Sequence, residues 1–349
     1  MKGVVLVGGE GTRLRPLTET IPKSLLPIVN RPFLHRVLDH LAANGVHEVI
    51  ASSSYLESSF ATFIEERHGD PAITWITERE PLGTGGAIVN ALPHVDDTFF
   101  VLNGDILTDL DLTALHEFHR GTGAVATIAL HHVDDARPFG LVAAEPSGRV
   151  LEFREKPGEL VAGDINAGTY VLEPEALQGW EPGRTTSIER EIFPSLIGRG
   201  APVQGYRTSA YWMDLGTPEK YLQAHFDVLE GKVSGLVVPA PFTAGTANVD
   251  LRARLGRWVV VGEHCVVESG SELEDSVLLD AATVGTEARV VESIVGPGAA
   301  VGAGATVVGS VLGEGARVDP GTAVKGARVP VARTAREGRT SDDVAAEPR

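Results

Sequence analysis

The chain has 349 residues, 43% of them apolar and 22% charged, with a formal net charge of −17. That balance describes a globular protein rather than a disordered or fibrous one, and its sign argues against a nucleic-acid partner, whose recognition depends on clustered Lys and Arg. Single cores stop growing near about 250 to 300 residues, so two domains are expected. No run approaches the roughly 18 apolar residues of a membrane span, and the first residues enter an apolar segment with no secretory leader ahead of it, so neither export nor membrane insertion is expected. Cys265 is the only cysteine, which rules out an intrachain disulfide or a Cys-based zinc cage and fits a reducing cytoplasm.

In chain order, Val4-Val5-Leu6-Val7 reads as a buried strand. Phe33, Leu34, Val37, Leu38 and Leu41 follow at helical spacing with Gly45 as a stop, and Val49-Ile50-Ala51 reads as the next strand. This is a βαβ opening. The run Phe99-Phe100-Val101-Leu102 ends in Asn103-Gly104-Asp105, which puts a carboxylate just past a strand's carboxyl end, where ligands of open α/β sheets bind. His131 and His132 fall at a strand end without metal-site spacing and read as structural or solvated.

After residue 232 the texture changes. Aliphatics recur at Val261, Val267, Leu273, then Leu278, Val284, Val290, then Val295, Val301, Val307, then Leu312, Val318, Val324, a seventeen-residue repeat with steps of six, six and five. One inward aliphatic per step, with small residues between, is what a three-sided parallel β-solenoid requires. Residues 233–254 read as a linker, 255–330 as the solenoid and 331–349 as a disordered tail. The solenoid reads as an assembly and stability module, giving a homo-oligomer, without catalytic groups of its own.

The first chemistry-bearing motif directly follows the first strand. Gly8, Gly9 and Gly11 let backbone amides close around phosphate oxygens, while Thr12 and Arg13 add a hydroxyl and a guanidinium fork. The loop lacks the Gly-Lys-Ser/Thr ending of a Walker loop and the third glycine of a dinucleotide fingerprint. Lys23, between Pro22 and Pro27, is a solvated charge if taken alone and a phosphate-neutralising cation if it lies near the cradle.

With these residues in view, the sequence resembles the sugar nucleotidylyltransferase family. The likeness rests on residues 8–18, Lys23 with its prolines, Pro81-Leu82-Gly83-Thr84-Gly85-Gly86, Asn103-Gly104-Asp105, Glu155-Lys156-Pro157, Asn166-Ala167-Gly168 and Trp212-Met213-Asp214-Leu215-Gly216-Thr217-Pro218. Within the family it is most similar to the mannose-1-phosphate guanylyltransferases, through residues 81–86, Ser187-Ile188-Glu189-Arg190-Glu191 and the appended solenoid. The resemblance implies an α/β, Rossmann-like catalytic domain with a mixed central sheet over residues 1–232, followed by a left-handed parallel β-helix. It implies Asp105 and Asp214 as Mg²⁺ ligands, Lys156 on the sugar phosphate, and Gly140, Glu155 and Asn166 on sugar hydroxyls. Arg13 and Lys23 would offset charge on the nucleotide, with Gly83 and Thr84 near the base. The implied reaction is in-line attack of a sugar 1-phosphate on the α-phosphorus of an NTP, with release of pyrophosphate and no protein nucleophile.

Counting back from Gly83, Glu78 stands where thymidylyl-transferring relatives carry Gln. A carboxylate only accepts hydrogen bonds and so favours guanine, which presents two adjacent donors, making GTP the expected nucleotide and mannose 1-phosphate the expected acceptor. Thymidylyl or adenylyl transfer to glucose 1-phosphate, or guanylyl transfer to a cyclitol phosphate, would keep the same motifs. A hexapeptide acyltransferase would need a His between coils, and only His264 follows residue 232. A nucleotide-sugar sensor tends to lose the catalytic loop, whereas Gly11, Arg13, Lys23, Asp105 and Asp214 are all present.

Overall fold

The computed structural model describes residues 1–53, 57–67 and 69–336. The chain forms two compact units, one made of Met1–Gly9 and Leu34–Trp212, the other of Glu10–Phe33 and Met213–Arg349. This division differs from the single break read at residue 232. Residues 10–33 and the helix after Asp214 group with the solenoid because they bond to one another and to it. The backbone N–H of Val29 donates to His225 Nδ1 at 3.2 Å, the Tyr221 hydroxyl donates to the Pro27 carbonyl, and Asn30 donates to Glu263 at 2.9 Å.

The first unit is built on strands β1 (Lys2–Leu6), β2 (Glu48–Ser53), β3 (Ala72–Thr77), β4 (Phe99–Asn103), β5 (Ala126–Val133), β6 (Gly140–Ala144), β7 (Val150–Glu155), β8 (Gly163–Leu172) and β9 (Val203–Thr208). They run in the order β7-β6-β8-β4-β1-β2-β3, with β5 also on β8 and β9 on β5. β1 is parallel to β2 and β4, and β2 to β3, whereas β8 is antiparallel to β4, β5 and β6. The sheet is therefore mixed, as expected.

The apolar runs form strands because both sheet faces are covered: Val4, Val5, Phe99, Phe100 and Val101 are all buried. Helices α1 (Phe33–Ala43), α2 (Glu57–Glu66), α3 (Gly83–Ala91), α4 (Leu112–Thr122) and α5 (Phe193–Gly198) connect the strands. Register places Leu6 beside both Ser52 and Asn103, and Ser53 beside Thr77, so the parallel strands end nearly level. Gly8, Glu78, Gly104 and Asp105 follow just beyond that edge.

In the second unit, helix α6 (Pro218–Leu229) precedes a three-faced parallel β-helix. Val260–Val261, Val277–Leu278, Ile294–Val295, Val311–Leu312 and Arg328–Val329 stack on one face at the seventeen-residue period. Every aliphatic of the repeat is buried in its core. Two residues before most of the inward aliphatics stands a small buried side chain, such as Ala282, Ala288, Ala299, Ala305 and Ala316, at the corner, with Val259 before Val261 the larger exception. Cys265 holds such a corner, and burial pushes its thiol up to about 11, which marks it as packing.

The five-residue steps carry Ser276, Ser293 and Ser310 instead. Each hydroxyl donates to the carbonyl two residues back and accepts the amide of the next coil, from Ser293, Ser310 and Ala327 at 3.1 Å. A shorter corner is thus closed by a buried ladder of satisfied hydroxyls. The coils extend further than the sequence reading placed them. Phe242–Thr243 and Asn248–Val249, within the segment read as linker, pair with the second coil, and Thr334–Ala335 closes the far end. The positions in register with the repeat's aliphatics are Thr243 and Val249 at the near end and Ala335 at the far end. Thr243 and Ala335 are not large aliphatics, and Thr243 stands eighteen rather than seventeen residues before Val261, which is why the period stopped short. The rest of the expected tail, 337–349, lies outside the described residues.

Candidate active site

In the first unit, Gly104 is forced to be glycine: its amide donates to the Leu6 carbonyl at 2.9 Å, and a Cβ there would meet that oxygen at 2.7 Å. The close approach turns the chain off β4 and sets Asp105 at the carboxyl edge of the sheet. Beside it, β8 advances four residues from Asn166 to Tyr170 while β5 advances two, a bulge with Gly168 at φ 72°. Within the bulge Asn166 accepts from the Gly168 amide at 2.9 Å and donates to the Tyr170 hydroxyl at 2.8 Å, so the side chain is fixed.

Gly140 pairs with Glu155 across β6 and β7, and a Cβ at Gly140 would stand 2.7 Å from the Phe153 ring and 3.1 Å from Glu155 Oε2. Burial, then the charge of Glu189, raises the Glu155 carboxyl above its ordinary value, against a smaller opposing effect of Lys156. Lys156 lies 3.7 Å from Glu155, and its backbone adopts φ 52°, rare for a residue with a side chain and costing on the order of 1 kcal/mol or more. Its amide bond to the Phe139 carbonyl at 2.9 Å holds it there.

Glu78 is 8% exposed, accepting from the Ser52 hydroxyl at 2.7 Å and from the Leu82 amide at 3.0 Å. It therefore ties the end of β2 to the start of the glycine run as well as offering its remaining lone pairs. Gly83, Gly85 and Gly86 are explained by close approach: Cβ atoms there would meet the Thr186 carbonyl at 2.7 Å, the Ile188 amide at 2.9 Å and the Arg184 carbonyl at 2.4 Å. Thr84 donates to Glu189 at 2.6 Å and accepts from the Ile188 amide at 3.1 Å, while Ser187 donates to the same Glu189 oxygen at 2.7 Å. Glu189 and Ser52 were missed as site supports, and only the repeated carboxylates of residues 187–191 hinted at the first.

In the second unit the signature loop is tight. Gly11 sits at φ 58°, its carbonyl accepts from the Leu14 amide and the Thr18 hydroxyl, both at 2.8 Å, and a Cβ would meet Thr18 at 3.0 Å and Lys23 at 3.2 Å. Thr12 and Arg13 lie exposed on the turn Thr12–Leu14. Asp214, 13% exposed, has Lys23 at 3.8 Å and Lys220 at 3.3 Å. A Cβ at Gly216 would meet Arg13 Nη2 at 2.6 Å and Asp214 Oδ1 at 2.9 Å, so the guanidinium and the carboxylate flank one glycine. Three cations around one carboxylate, in a chain of net charge −17, form a local site for anionic oxygens.

Lys220 escaped the sequence reading. Thr217 caps α6 by accepting the Lys220 amide at 3.4 Å with Pro218 in the first turn, which fixes the lysine six residues past Asp214. Its signal was the Thr-Pro-Glu-Lys helix start. The histidines follow the sequence reading: His131 stacks on Trp212 and His132 pairs with Asp164 at 3.0 Å. Among the described residues no three His, Cys, Asp or Glu side chains gather as a metal cage. Asp105 in the first unit and Asp214 in the second are each, taken alone, a hard oxygen donor of the kind Mg²⁺ takes in ones or twos together with waters and substrate phosphates. No helix among the described residues is long and apolar enough to cross a membrane.

Residues 2–231 match the Nucleotidyl transferase family and residues 237–341 the GMPPB C-terminal domain. A mannose-1-phosphate guanylyltransferase of Mycobacterium tuberculosis is 38% identical over 80% of each chain, and mannose-1-phosphate guanylyltransferase 1 of Arabidopsis thaliana is 36% identical over 83% of this chain and 82% of its own. Among solved structures, HddC from Yersinia pseudotuberculosis superposes with TM-score 0.58 at 32% identity, covering 65% of this chain and 98% of HddC, and a second HddC structure holds GMP-PN. The chain belongs to the nucleotidyl transferase family, alongside the mannose-1-phosphate guanylyltransferases.

Proposed function

We propose that the chain is a mannose-1-phosphate guanylyltransferase, which condenses GTP with mannose 1-phosphate to give GDP-mannose and pyrophosphate. The observation that carries this reading is the cation cluster on Asp214, where Arg13, Lys23 and Lys220 gather in an otherwise acidic protein. The activity of the guanylyltransferase relatives supports the choice of substrates.

In the mechanism, a phosphate oxygen of mannose 1-phosphate attacks the α-phosphorus in line and pyrophosphate departs. Gly8, Gly9, Gly11 and Thr12 seat the triphosphate through backbone amides and the hydroxyl. Arg13 and Lys23 offset the charge that builds on the leaving group. Lys156 holds the sugar phosphate, and Gly140, Glu155 and Asn166 orient the sugar hydroxyls. Glu78 accepts from the guanine edge next to Gly83 and Thr84. Asp105 and Asp214 would each offer a carboxylate oxygen to Mg²⁺, which would supply positive charge against that of the phosphates. The reading includes a cytoplasmic location, consistent with a buried lone thiol, and a homo-oligomer formed through the β-helix, where Leu251 stands fully exposed.

Pyrophosphate release measured over four NTPs and several sugar 1-phosphates tests the reading. The highest kcat/KM is expected for GTP with mannose 1-phosphate. Preference for dTTP with glucose 1-phosphate would overturn the substrates, and no release with any pair would overturn the activity.

A further inference from the structure

The solenoid read from sequence as an assembly module reaches the signature loop directly. Arg328, on the last complete coil, donates from one Nη to the carbonyl of Arg13 at 2.8 Å and to that of Arg15 at 3.1 Å. One coil earlier, Gly313 approaches the same loop so closely that a Cβ would stand 3.0 Å from the Cβ of Pro16. Arg328 also lies close enough to the start of α6 to help hold the Glu219 carboxyl below its ordinary value, after the larger effect of the Thr217 hydroxyl. The same guanidinium thus faces both segments that frame Asp214, the Arg13 turn and the helix start that carries Lys220.

We propose that Arg328 is a positioning residue for nucleotide binding: its guanidinium pins the backbone of the Arg13–Arg15 turn and thereby aims the Arg13 side chain. The argument is one of backbone geometry. The three-residue turn, exposed at Thr12 and Arg13, has few backbone bonds of its own, here Leu14 to Gly11 at 2.8 Å and Arg15 to Thr12 at 3.3 Å. Two charge-assisted bonds from a rigid solenoid restrict the carbonyls on either side of Leu14, which is buried. Leu14 holds the inner side of the turn and Arg328 the outer side, which fixes the backbone from which the Arg13 side chain projects. A rod of stacked coils is a stiffer anchor for this than a second loop. The proposal rests on the reading of residues 8–18 as the triphosphate cradle.

The test uses the full chain with Arg328→Met, which keeps the aliphatic stem and removes the donors, Arg328→Lys, which restores a cation, and Arg317→Ala as a control elsewhere on the solenoid. Amide hydrogen exchange without nucleotide should rise severalfold at residues 10–18 in R328M, stay at the wild-type level in R317A, and fall back partway in R328K. KM for GTP should rise about five- to tenfold in R328M while KM for mannose 1-phosphate stays within twofold, a split that general destabilisation would not produce. Unchanged exchange in residues 10–18, or a rise spread equally along the solenoid, overturns the inference. The exchange comparison needs no turnover, so it decides the inference even if the wild-type protein fails to use GTP, an outcome that would strike the proposed function alone.

Discussion

The two units solve the problem of holding a site in different ways. In the first, strands distant in sequence meet through register, so Leu6, Ser52 and Asn103 come level although some fifty residues separate each from the next. In the second, coils seventeen residues apart repeat one corner design, and each coil pairs only with the one before and the one after. A change in the sheet therefore moves a ladder edge shared by several functional side chains, whereas a change in the solenoid acts mainly on neighbouring coils. The signature loop is the exception, because it belongs to the second unit yet follows directly from β1 of the first.

The largest effect is expected where charge is concentrated. Asp214→Asn keeps the shape beside Lys23 and Lys220 but removes the carboxylate proposed as a metal ligand, and kcat should fall roughly 10³-fold, the scale of several kcal/mol of lost charge stabilisation. Pyrophosphate release, with circular dichroism as a check on folding, measures it. Activity within tenfold of wild type would take Asp214 out of the metal site.

Leu278→Ala probes the solenoid's nearest-neighbour character. The side chain is fully buried on the stacked face, and its truncation should cost about 2–5 kcal/mol in denaturant unfolding. Amide protection should drop first in the coils around residues 260–312. Equal loss of protection in β1 and β4 would show that the two units unfold as one and break the comparison.

Glu78→Gln separates two roles at the sheet edge. If the carboxylate reads guanine, kcat/KM for GTP falls about tenfold, equivalent to about 1.4 kcal/mol, and falls less for dTTP. If Glu78 serves only to join Ser52 to the Leu82 amide, all NTPs lose activity alike.

The smallest effect concerns Glu155. Its folded-state pKa is raised, first by burial and next by Glu189, so folding favours the protonated acid. That contribution is fully present below the ordinary value of 4.5 and is lost as pH rises through the raised value. Glu155→Gln should therefore melt slightly higher than wild type at pH 7, with the advantage vanishing below about pH 4.5, while sugar-phosphate KM rises. A variant less stable than wild type at pH 7 would mean that the carboxylate is better satisfied in the fold than its burial implies.

Local sequence was enough for the elements whose physics is local. A seventeen-residue period defines a solenoid because each face needs one inward side chain per step, and an apolar run before Gly8 defines a strand feeding a loop. The glycine runs were legible as loops that close on a ligand, but not the approach of the protein's own backbone that requires them: Gly86 faces the Arg184 carbonyl, nearly one hundred residues away. Lys220 and Arg328 were invisible as functional groups because a Lys or Arg in isolation reads as a solvated charge, and only folding brings one to Asp214 and the other to the Arg13 carbonyl. The unit boundary was hidden for the same reason. Periodicity records which face of an element is buried, whereas the partner that buries residues 10–33 is set by hydrogen bonds to α6 and the coils, and those bonds exist only in the tertiary structure.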